Sequence, residues 1–405
     1  MRAKLLRIGL ALASIGVFAG GDWLQFRGTD NRSVSDESGL PTSFGPEENV
    51  AWKVPLVGRG PSSPIVVGGK VVVTCSSGFR QDRLHVLVFD AASGRRLWHR
   101  QLWATGHTWT DPFGAVADNT PASDGRRIFV MYSSNDVACF DLEGNLLWFR
   151  GLAYEHPATR NDVGMASSPL VVGDTVVVQL ENQGDSFACG LDAATGATRW
   201  QLDREHGATW TSPTVLRGNG RGEDLVLLQS RSQLTAHQPR TGRLLWRYEI
   251  SCHTIASLTT WGDRLYLPAN GLHAFRYDWA THRAELLWYQ RRMRSGNASP
   301  VACGDRAYVL KPPGILVAAD TADGRVLWQL RLKGPFWATP VVAGGHLYAV
   351  NYDGLVQVVR LGRRGQLAGT GRIDERILAS PAVADGALYF RSDQHLWKVA
   401  FTGEP

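Results

Sequence analysis

Residues 191–200 read LDAATGATRW, and this arrangement of Asp, Gly and Trp recurs along the chain. An Asp side chain accepts backbone N–H bonds inside a tight turn, and Gly supplies the positive φ that such a turn needs. The Trp falls on the strand after the turn, where a large ring packed between two sheets buries roughly 150–250 Å². The stretch therefore predicts repeated sheets joined by docking tryptophans, which are Trp52, Trp98, Trp148, Trp200, Trp246, Trp288 and Trp328.

Each repeat opens with Ser or Thr, usually followed by Pro, and continues with two short apolar runs. Residues 70–74 (KVVVT) and 175–179 (TVVVQ) are second runs of this kind, and their β-branched residues favour strands. Four strands in a unit of roughly 40–50 residues are typical of a β-propeller. The openings lie at Ser63, Thr120, Ser168, Ser212, Ser257, Ser299, Thr339 and Ser380, and Leu258 replaces the proline after Ser257.

The eighth repeat supplies only three strands before the C-terminus, while residues 50–54 (VAWKV) form a spare strand with its own Trp. We therefore predict an all-β fold, an eight-bladed β-propeller of four-stranded antiparallel blades at residues 50–405, closed by this N-terminal strand. A seven-bladed ring with one stray unit is the alternative. Ala368 stands where the seventh repeat should carry its Trp, so we expect one weaker junction.

The N-terminus combines Arg2, Lys4 and Arg7 with a short apolar run that ends in small residues. This is the pattern of a signal peptide, predicted at residues 1–19, and it indicates export to the periplasm or the extracellular space. A retained anchor is the alternative. Residues 20–49 are expected to cross the ring as an extended segment, or else to form a disordered leader.

The composition excludes some classes of function. Lys and Arg number 43 against 37 Asp and Glu, a net charge of +6, but the arginines are scattered and form no dense run. Nucleic-acid binding is therefore not predicted. The five cysteines include no adjacent pair and no CxxC, so we expect buried thiols and no metal or redox motif. We expect a monomer without a transmembrane segment in the mature chain.

The stretch at 191–200, repeated in register, resembles the pyrroloquinoline-quinone-like (PQQ-like) β-propeller repeat family over about residues 50–401. Residues 23–28 (WLQFRG) are also similar to the lead-in of secreted members. That family contains quinoprotein dehydrogenases and the non-enzymatic outer-membrane assembly factor BamB, so the fold alone does not define the function.

The resemblance implies, for the dehydrogenases, a quinone held against two adjacent cysteines and a calcium ion held by Glu, Asn and Asp. A tricarboxylated quinone needs cations, and calcium needs clustered oxygens. This sequence has no adjacent cysteine pair and no acidic cluster with calcium-loop spacing. We therefore predict no catalytic residue, no metal site, and neither PQQ nor calcium as a cofactor.

The loops that enter the innermost strands of a propeller gather on one face around the channel. Here they carry aromatic, cationic and amide side chains, which suit a protein or ligand surface. The candidate binding residues are His107, Trp109, His206, Trp210, His253, Arg294, Asn297 and Trp337. A water-filled funnel with the rings packed on adjacent loops is the alternative, and a metal held by three of the loop histidines is a further one.

These observations predict a secreted, non-enzymatic β-propeller that acts as a binding or scaffolding protein for a protein partner or an envelope component. A PQQ-dependent quinoprotein dehydrogenase and a carbohydrate-binding propeller are the alternatives.

Overall fold

A computed structural model describes residues 21–159 and 163–402. Within these ranges the chain forms eight sheets of four antiparallel strands, one of which gains a fifth, parallel strand, and this confirms the predicted eight-bladed ring over the seven-bladed one. The predicted signal peptide lies outside the described residues. We letter the strands of each blade A to D from the channel outward and number the blades in chain order.

The A strands are Ile65–Val67, Ala122–Ser123, Leu170–Val172, Thr214–Leu216, Thr259–Trp261, Val301–Cys303, Val341–Ala343 and Ala382–Ala384. The B strands are Lys70–Ser77, Arg127–Met131, Thr175–Leu180, Leu225–Gln229, Arg264–Ala269, Arg306–Lys311, His346–Val350 and Ala387–Arg391. The C strands are Arg83–Asp90, Asp136–Asp141, Phe187–Asp192, Gln233–His237, Gly271–Asp278, Ile315–Asp320, Leu355–Arg360 and His395–Val399. The D strands are Arg96–Trp103, Leu146–Gly151, Thr198–Asp203, Leu244–Glu249, Arg283–Gln290, Val326–Arg331, Gln366–Arg372 and Val50–Pro55.

Burial explains the sequence pattern of the strands. In blade 3 every residue of Thr175–Leu180 is buried, because strand B is covered by the blades on both sides. Such strands read as continuous apolar runs. The outermost strand Thr198–Asp203 instead alternates between exposed and more buried residues, as expected at the rim of the ring. The described helical segments are short: the α-helix Leu152–Glu155 and the 3₁₀ helix Phe79–Gln81.

The N-terminal strand closes the ring as predicted. Val50–Pro55 pairs antiparallel with His395–Val399 and places Lys53 opposite Trp397. Blade 8 is thus built from both ends of the propeller, and the edge of its strand C is covered.

The docking tryptophans join each blade to the next. The indole N–H of Trp200 on blade 3 donates to the carbonyl of Pro239 on blade 4, at 2.7 Å. The same ring lies against Gly242, where a Cβ would come within 2.7 Å of it. Gly242 therefore has two roles. It adopts the positive φ that its own turn needs, and its lack of a side chain lets the indole ring of the preceding blade pack flat against the backbone, a contact that we call the seating of the Trp. The same seating joins Trp52 to Gly94, Trp98 to Gly144, Trp148 to Gly196, Trp288 to Gly324 and Trp328 to Gly365.

Trp246 is the exception among the predicted docking residues. The facing turn of blade 5 has His282, with φ of 52°, at the position where the other turns carry Gly. Trp246 is half-buried and packs instead beside Tyr248 and edge-on to Phe275, with ring centroids 6.0 Å apart in both pairs.

The junction between blades 7 and 8, where Ala368 replaces the Trp, is filled from outside the repeats. Phe44 is only 3% exposed and lies between the two blades. Its backbone pairs with Gly371 of blade 7, and its ring meets Phe390 of blade 8 at 5.7 Å between centroids. The N-terminal segment therefore supplies a ring at the junction where the seventh repeat lacks its Trp, and the relative strength of this junction stays a prediction.

That segment runs across the lower face, the face opposite the loops that join strand D to strand A. Trp23 exchanges backbone hydrogen bonds with Val66 of blade 1, and Val34–Ser35 pairs in parallel with Val341–Ala343 of blade 7. Between them the Arg27 guanidinium enters the channel and donates to the carbonyl of Leu258 at 2.7 Å. The lower end of the channel is thus covered by the chain itself.

Candidate functional site

A closed circle of hydrogen bonds surrounds the channel. The backbone N–H of each repeat-opening Ser or Thr donates to the side-chain hydroxyl of its counterpart in the next blade, at 2.9–3.0 Å. The circle includes Ser257, although its proline is missing, and ends with the N–H of Ser380 donating to Ser63. A buried N–H needs a partner, so the repeated hydroxyl satisfies eight such groups at once. We call these eight residues the hydroxyl ring.

A cavity of about 540 Å³ lies along this part of the channel, and all eight members of the hydroxyl ring line it. Phe26 from the N-terminal segment is also part of the lining. Each hydroxyl oxygen already accepts one N–H, which leaves its own proton and one lone pair for other contacts. The ring therefore offers the cavity both donors and acceptors.

Two segments of the upper face, residues 104–121 and 163–169, contribute to the wall of this cavity. They are joined where the N–H of Asp111 donates to the carbonyl of Val163, at 3.1 Å. The indole N–H of Trp210 donates to the carbonyl of Gly164, at 2.8 Å. Phe113 reaches across to the far side of the ring and stacks on Trp337, with centroids 5.8 Å apart and planes at 17°.

The charge of the cavity is acidic. Among the described lining residues, the charged ones are Asp111 and Asp118. Asp118 Oδ1 accepts the backbone N–H of Ala115 at 2.6 Å. Burial raises the pKa of Asp118 to about 7, an effect that the Ala115 hydrogen bond and the nearby Arg59 and Arg391 only partly offset. Near neutral pH this carboxyl group is therefore poised between its two protonation states.

The structure places the eight candidate binding residues in three different surroundings: the cavity lining, the exposed upper face and a half-buried loop. Trp210, Asn297 and Trp337 line the cavity. His107, Trp109, His206 and Arg294 are exposed on the upper face and do not belong to that lining. The expected convergence of all these side chains over the channel is therefore only partial.

His253 is half-buried and has a local role. Its Nδ1 accepts the backbone N–H groups of Ile255 and Ala256, at 3.0 and 3.1 Å. Burial, with a smaller contribution from the positive charge of Arg294, lowers the pKa of this histidine. His253 thus orders the loop that carries Ile255 into the cavity wall.

Sequence reasoning did not single out Asp111, Phe113 or Asp118. The one available signal was the length of the segment between Trp103 and Thr120. It also treated the Ser/Thr-Pro steps as strand openings, although their regular spacing is the signal of the hydroxyl ring.

The described residues do not fit a quinone or a structural metal. They contain no group of three or more His, Cys, Asp or Glu side chains placed to hold a metal ion. The described cavity lining also carries no Lys or Arg that could pair with a tricarboxylate. Cys75, Cys139 and Cys189 are buried, and burial raises the pKa of each thiol.

Eight blades with tryptophans seated on the turn glycines of their neighbours define a PQQ-like propeller. Within that class, the chain belongs to the family described as "Outer membrane protein assembly factor BamB", which matches residues 42–162, 109–269 and 274–368. No helix in the described part of the chain is long and apolar enough to cross a membrane.

Individual relatives are distant. BamB of Shewanella oneidensis is 23% identical over 403 residues, which cover 94% of this chain and 83% of the relative. A polyvinylalcohol dehydrogenase of Sphingopyxis is 26% identical over 185 residues. That match covers 44% of this chain and only 23% of the dehydrogenase. BamB of Legionella pneumophila is 23% identical over 210 residues, which cover 50% of this chain and 52% of the relative.

The chain shares its fold with solved structures of a BamB protein and of a dehydrogenase. BamB from Moraxella catarrhalis aligns with a TM-score of 0.65 at 19% identity and covers 88% of this chain and 98% of its own. A europium-containing methanol dehydrogenase aligns with a TM-score of 0.72 at 15% identity, and the alignment covers 93% of this chain and 91% of the dehydrogenase. At these identities the likeness concerns the fold alone.

Proposed function

We propose that this chain is an exported, non-enzymatic scaffold of the cell envelope that binds a protein partner through its upper face. Membership of the BamB family supports a scaffold role, and the name of that family points to outer-membrane protein assembly as the setting. The donor set around the channel supports the non-enzymatic part of the proposal.

The observation that carries the proposal is an exposed group of aromatic side chains on the upper face of blades 1 and 2. Tyr154 is 83% exposed, Phe79 78% and Trp109 70%. Trp103 is also exposed, and we call these four residues the aromatic patch. Isolated apolar side chains are normal on a surface, but a cluster of large aromatics marks an interaction site.

The loops that carry the aromatic patch support one another. The amide of Gln81 donates to Thr110 Oγ1 at 3.4 Å, which links the loop of Phe79 to that of Trp109. The guanidinium of Arg83 lies 5.5 Å from the centre of the Trp103 ring. Aromatic residues and Arg are enriched where proteins bind one another, and a few of them carry most of the binding energy. The patch is thus a supported surface with the composition of an interface.

The test is cross-linking and capture from an envelope fraction with the mature chain as bait. We expect Trp109→Ala with Tyr154→Ala to abolish capture of the partner without changing the melting curve, since both side chains are largely exposed. The matched control is Phe401→Ala with Tyr289→Ala, which removes two exposed rings elsewhere. Equal capture by both double variants would refute the aromatic patch as the binding surface.

A separate measurement tests the proposal that the chain binds no quinone cofactor. We expect PQQ with calcium to leave the melting temperature unchanged, because only a ligand of the native state raises it. A saturable rise would favour the dehydrogenase alternative.

A further inference from the structure

We propose that the channel cavity is a binding site for an organic ammonium ion with a small apolar body. This site is distinct from a protein-binding upper face and could operate whether or not the aromatic patch binds a partner. The proposal is based on the volume of the cavity, its aromatic walls, its charge and the polarity of the hydroxyl ring.

The volume and the walls suit a small molecule. About 540 Å³ lies within the range of roughly 300–1,000 Å³ that is usual for small-molecule sites. Four aromatic side chains line the cavity: Phe26, Phe113, Trp210 and Trp337. The negative face of an aromatic ring attracts a cation, and Trp does so most strongly. Aromatic rings around an enclosed space are the usual means of holding a quaternary ammonium group.

The charge selects a cation. The whole chain carries a net charge of +6, yet the described lining has Asp111 and Asp118 as its charged residues. Three arginines lie close to the cavity without lining it, and each is engaged elsewhere. Arg27, at the lower end of the channel, donates to the carbonyl of Leu258 at 2.7 Å. Arg391 donates to the hydroxyl of Ser62 at 2.5 Å, and Arg59 lies 3.4 Å from Asp393 in an ion pair.

Asp118 is placed to face a ligand. Its Oδ1 is held by the N–H of Ala115, which fixes the carboxyl group. A Cβ at Gly114 would come within 2.8 Å of Oδ2, so only a glycine fits beside this oxygen, and both Gly114 and Asp118 line the cavity. A buried carboxylate is poorly solvated, so a cation placed beside it strongly stabilises its ionised form.

The hydroxyl ring adds polar contacts without adding charge. Ser168 and Ser257 are each at most 3% exposed, and their hydroxyls already accept a backbone N–H. The remaining lone pair can accept an N–H from a primary or secondary ammonium group, or an O–H from a hydroxyl on the ligand. The ring therefore suits an ammonium ion that also carries a polar group.

Proton release provides a readout that packing alone would not give. A bound cation lowers the pKa of Asp118 from about 7, so binding below this pH expels a proton. Arg59, Arg391 and Asp393 also face this carboxyl group, and their charges are part of its starting state. Affinity should therefore fall as the pH drops below 7, and the proton count should appear in calorimetry with buffers of different ionisation enthalpy.

The experiment compares isosteric probes by titration calorimetry on the mature chain. Choline, its neutral isostere 3,3-dimethyl-1-butanol and the anion 3,3-dimethylbutyrate share one apolar body. We expect choline to bind at least about tenfold more tightly than the alcohol, and the anion not to bind. Asp118→Asn should weaken choline binding about tenfold or more and remove the proton release. The control Asp323→Asn, on an exposed turn, should change neither.

Several results would overturn the proposal. Equal affinity for choline and the alcohol would show an apolar cavity with no preference for charge. Binding of methyl glucoside in place of choline would assign the cavity to a saccharide. Unaltered choline binding in Asp118→Asn, with a normal melting curve, would place any ammonium site elsewhere, and no heat with any probe would remove the site.

Discussion

The seating of Trp200 on Gly242 gives a quantitative test of how the blades are held together. Trp200 is 7% exposed, and its indole N–H donates to Pro239. Trp200→Ala should lower the free energy of unfolding by about 3–5 kcal/mol, the usual cost of deleting a large buried ring. Gly242 has φ of 69°, so Gly242→Ala should cost roughly 1–2 kcal/mol for the backbone alone. The clash of its Cβ with the Trp200 ring should add roughly 1–3 kcal/mol.

The two changes should therefore couple. In a Trp200→Ala background the ring is gone, so Gly242→Ala should cost only the backbone part. The double-mutant cycle should show an interaction of about 1–3 kcal/mol, measured by denaturant unfolding. Gly173→Ala is the matched control, because Gly173 has φ of 59° and no atom within 4 Å of its Cβ position. Strict additivity of Trp200→Ala and Gly242→Ala would refute the seating as the source of junction stability.

Two further predictions concern the N-terminal segment. Deleting residues 21–56 should expose the edge of His395–Val399, so the truncated chain should aggregate or lose cooperative melting; a soluble product with unchanged melting would contradict closure by this strand. Phe44→Ala should lower the unfolding free energy by about 3–5 kcal/mol, as for other buried aromatic truncations, whereas Phe401→Ala on the surface should change it little. Similar unfolding curves for the two Phe variants would mean that Phe44 does not support the junction.

The sequence was sufficient for the ring because the relevant signals are local and repeated. The Asp and Gly of LDAATG determine a turn within six residues, and the spare strand around Trp52 follows from counting strands. The hydroxyl ring and the seating of Trp200 on Gly242 join residues of different blades, so no short pattern contains both partners. The repeats showed which residue types recur, but only the structure shows what they bond to.

The candidate site was harder to predict for a related reason. Trp109 and Trp337 both lie on D-to-A loops outside the docking position, so composition could not distinguish them. Phe113, on the same long loop as Trp109, crosses to Trp337, while Trp109 itself remains in solvent. Asp118 belongs to no repeated pattern, and its raised pKa arises from burial produced by several segments at once. Such residues can be identified from the packing of the loops in the structure, but not from the repeat pattern of the sequence.

The N-terminal part of the chain compensates for two irregularities of the repeats, and this argues that it is an integral part of the ring. It supplies Trp52 to the incomplete eighth blade and Phe44 to the junction that lacks a Trp. It also places Phe26 in the cavity lining, next to the buried Arg27, whose pKa is lowered to about 9 by burial. A segment that released its hold would break contacts in blades 1, 2, 3, 4, 7 and 8 together. The same stretch of chain that precedes the closing strand also covers the lower end of the channel through Trp23 and Arg27, so we expect a ligand to reach the cavity from the upper face, where Phe113 and Trp337 line it.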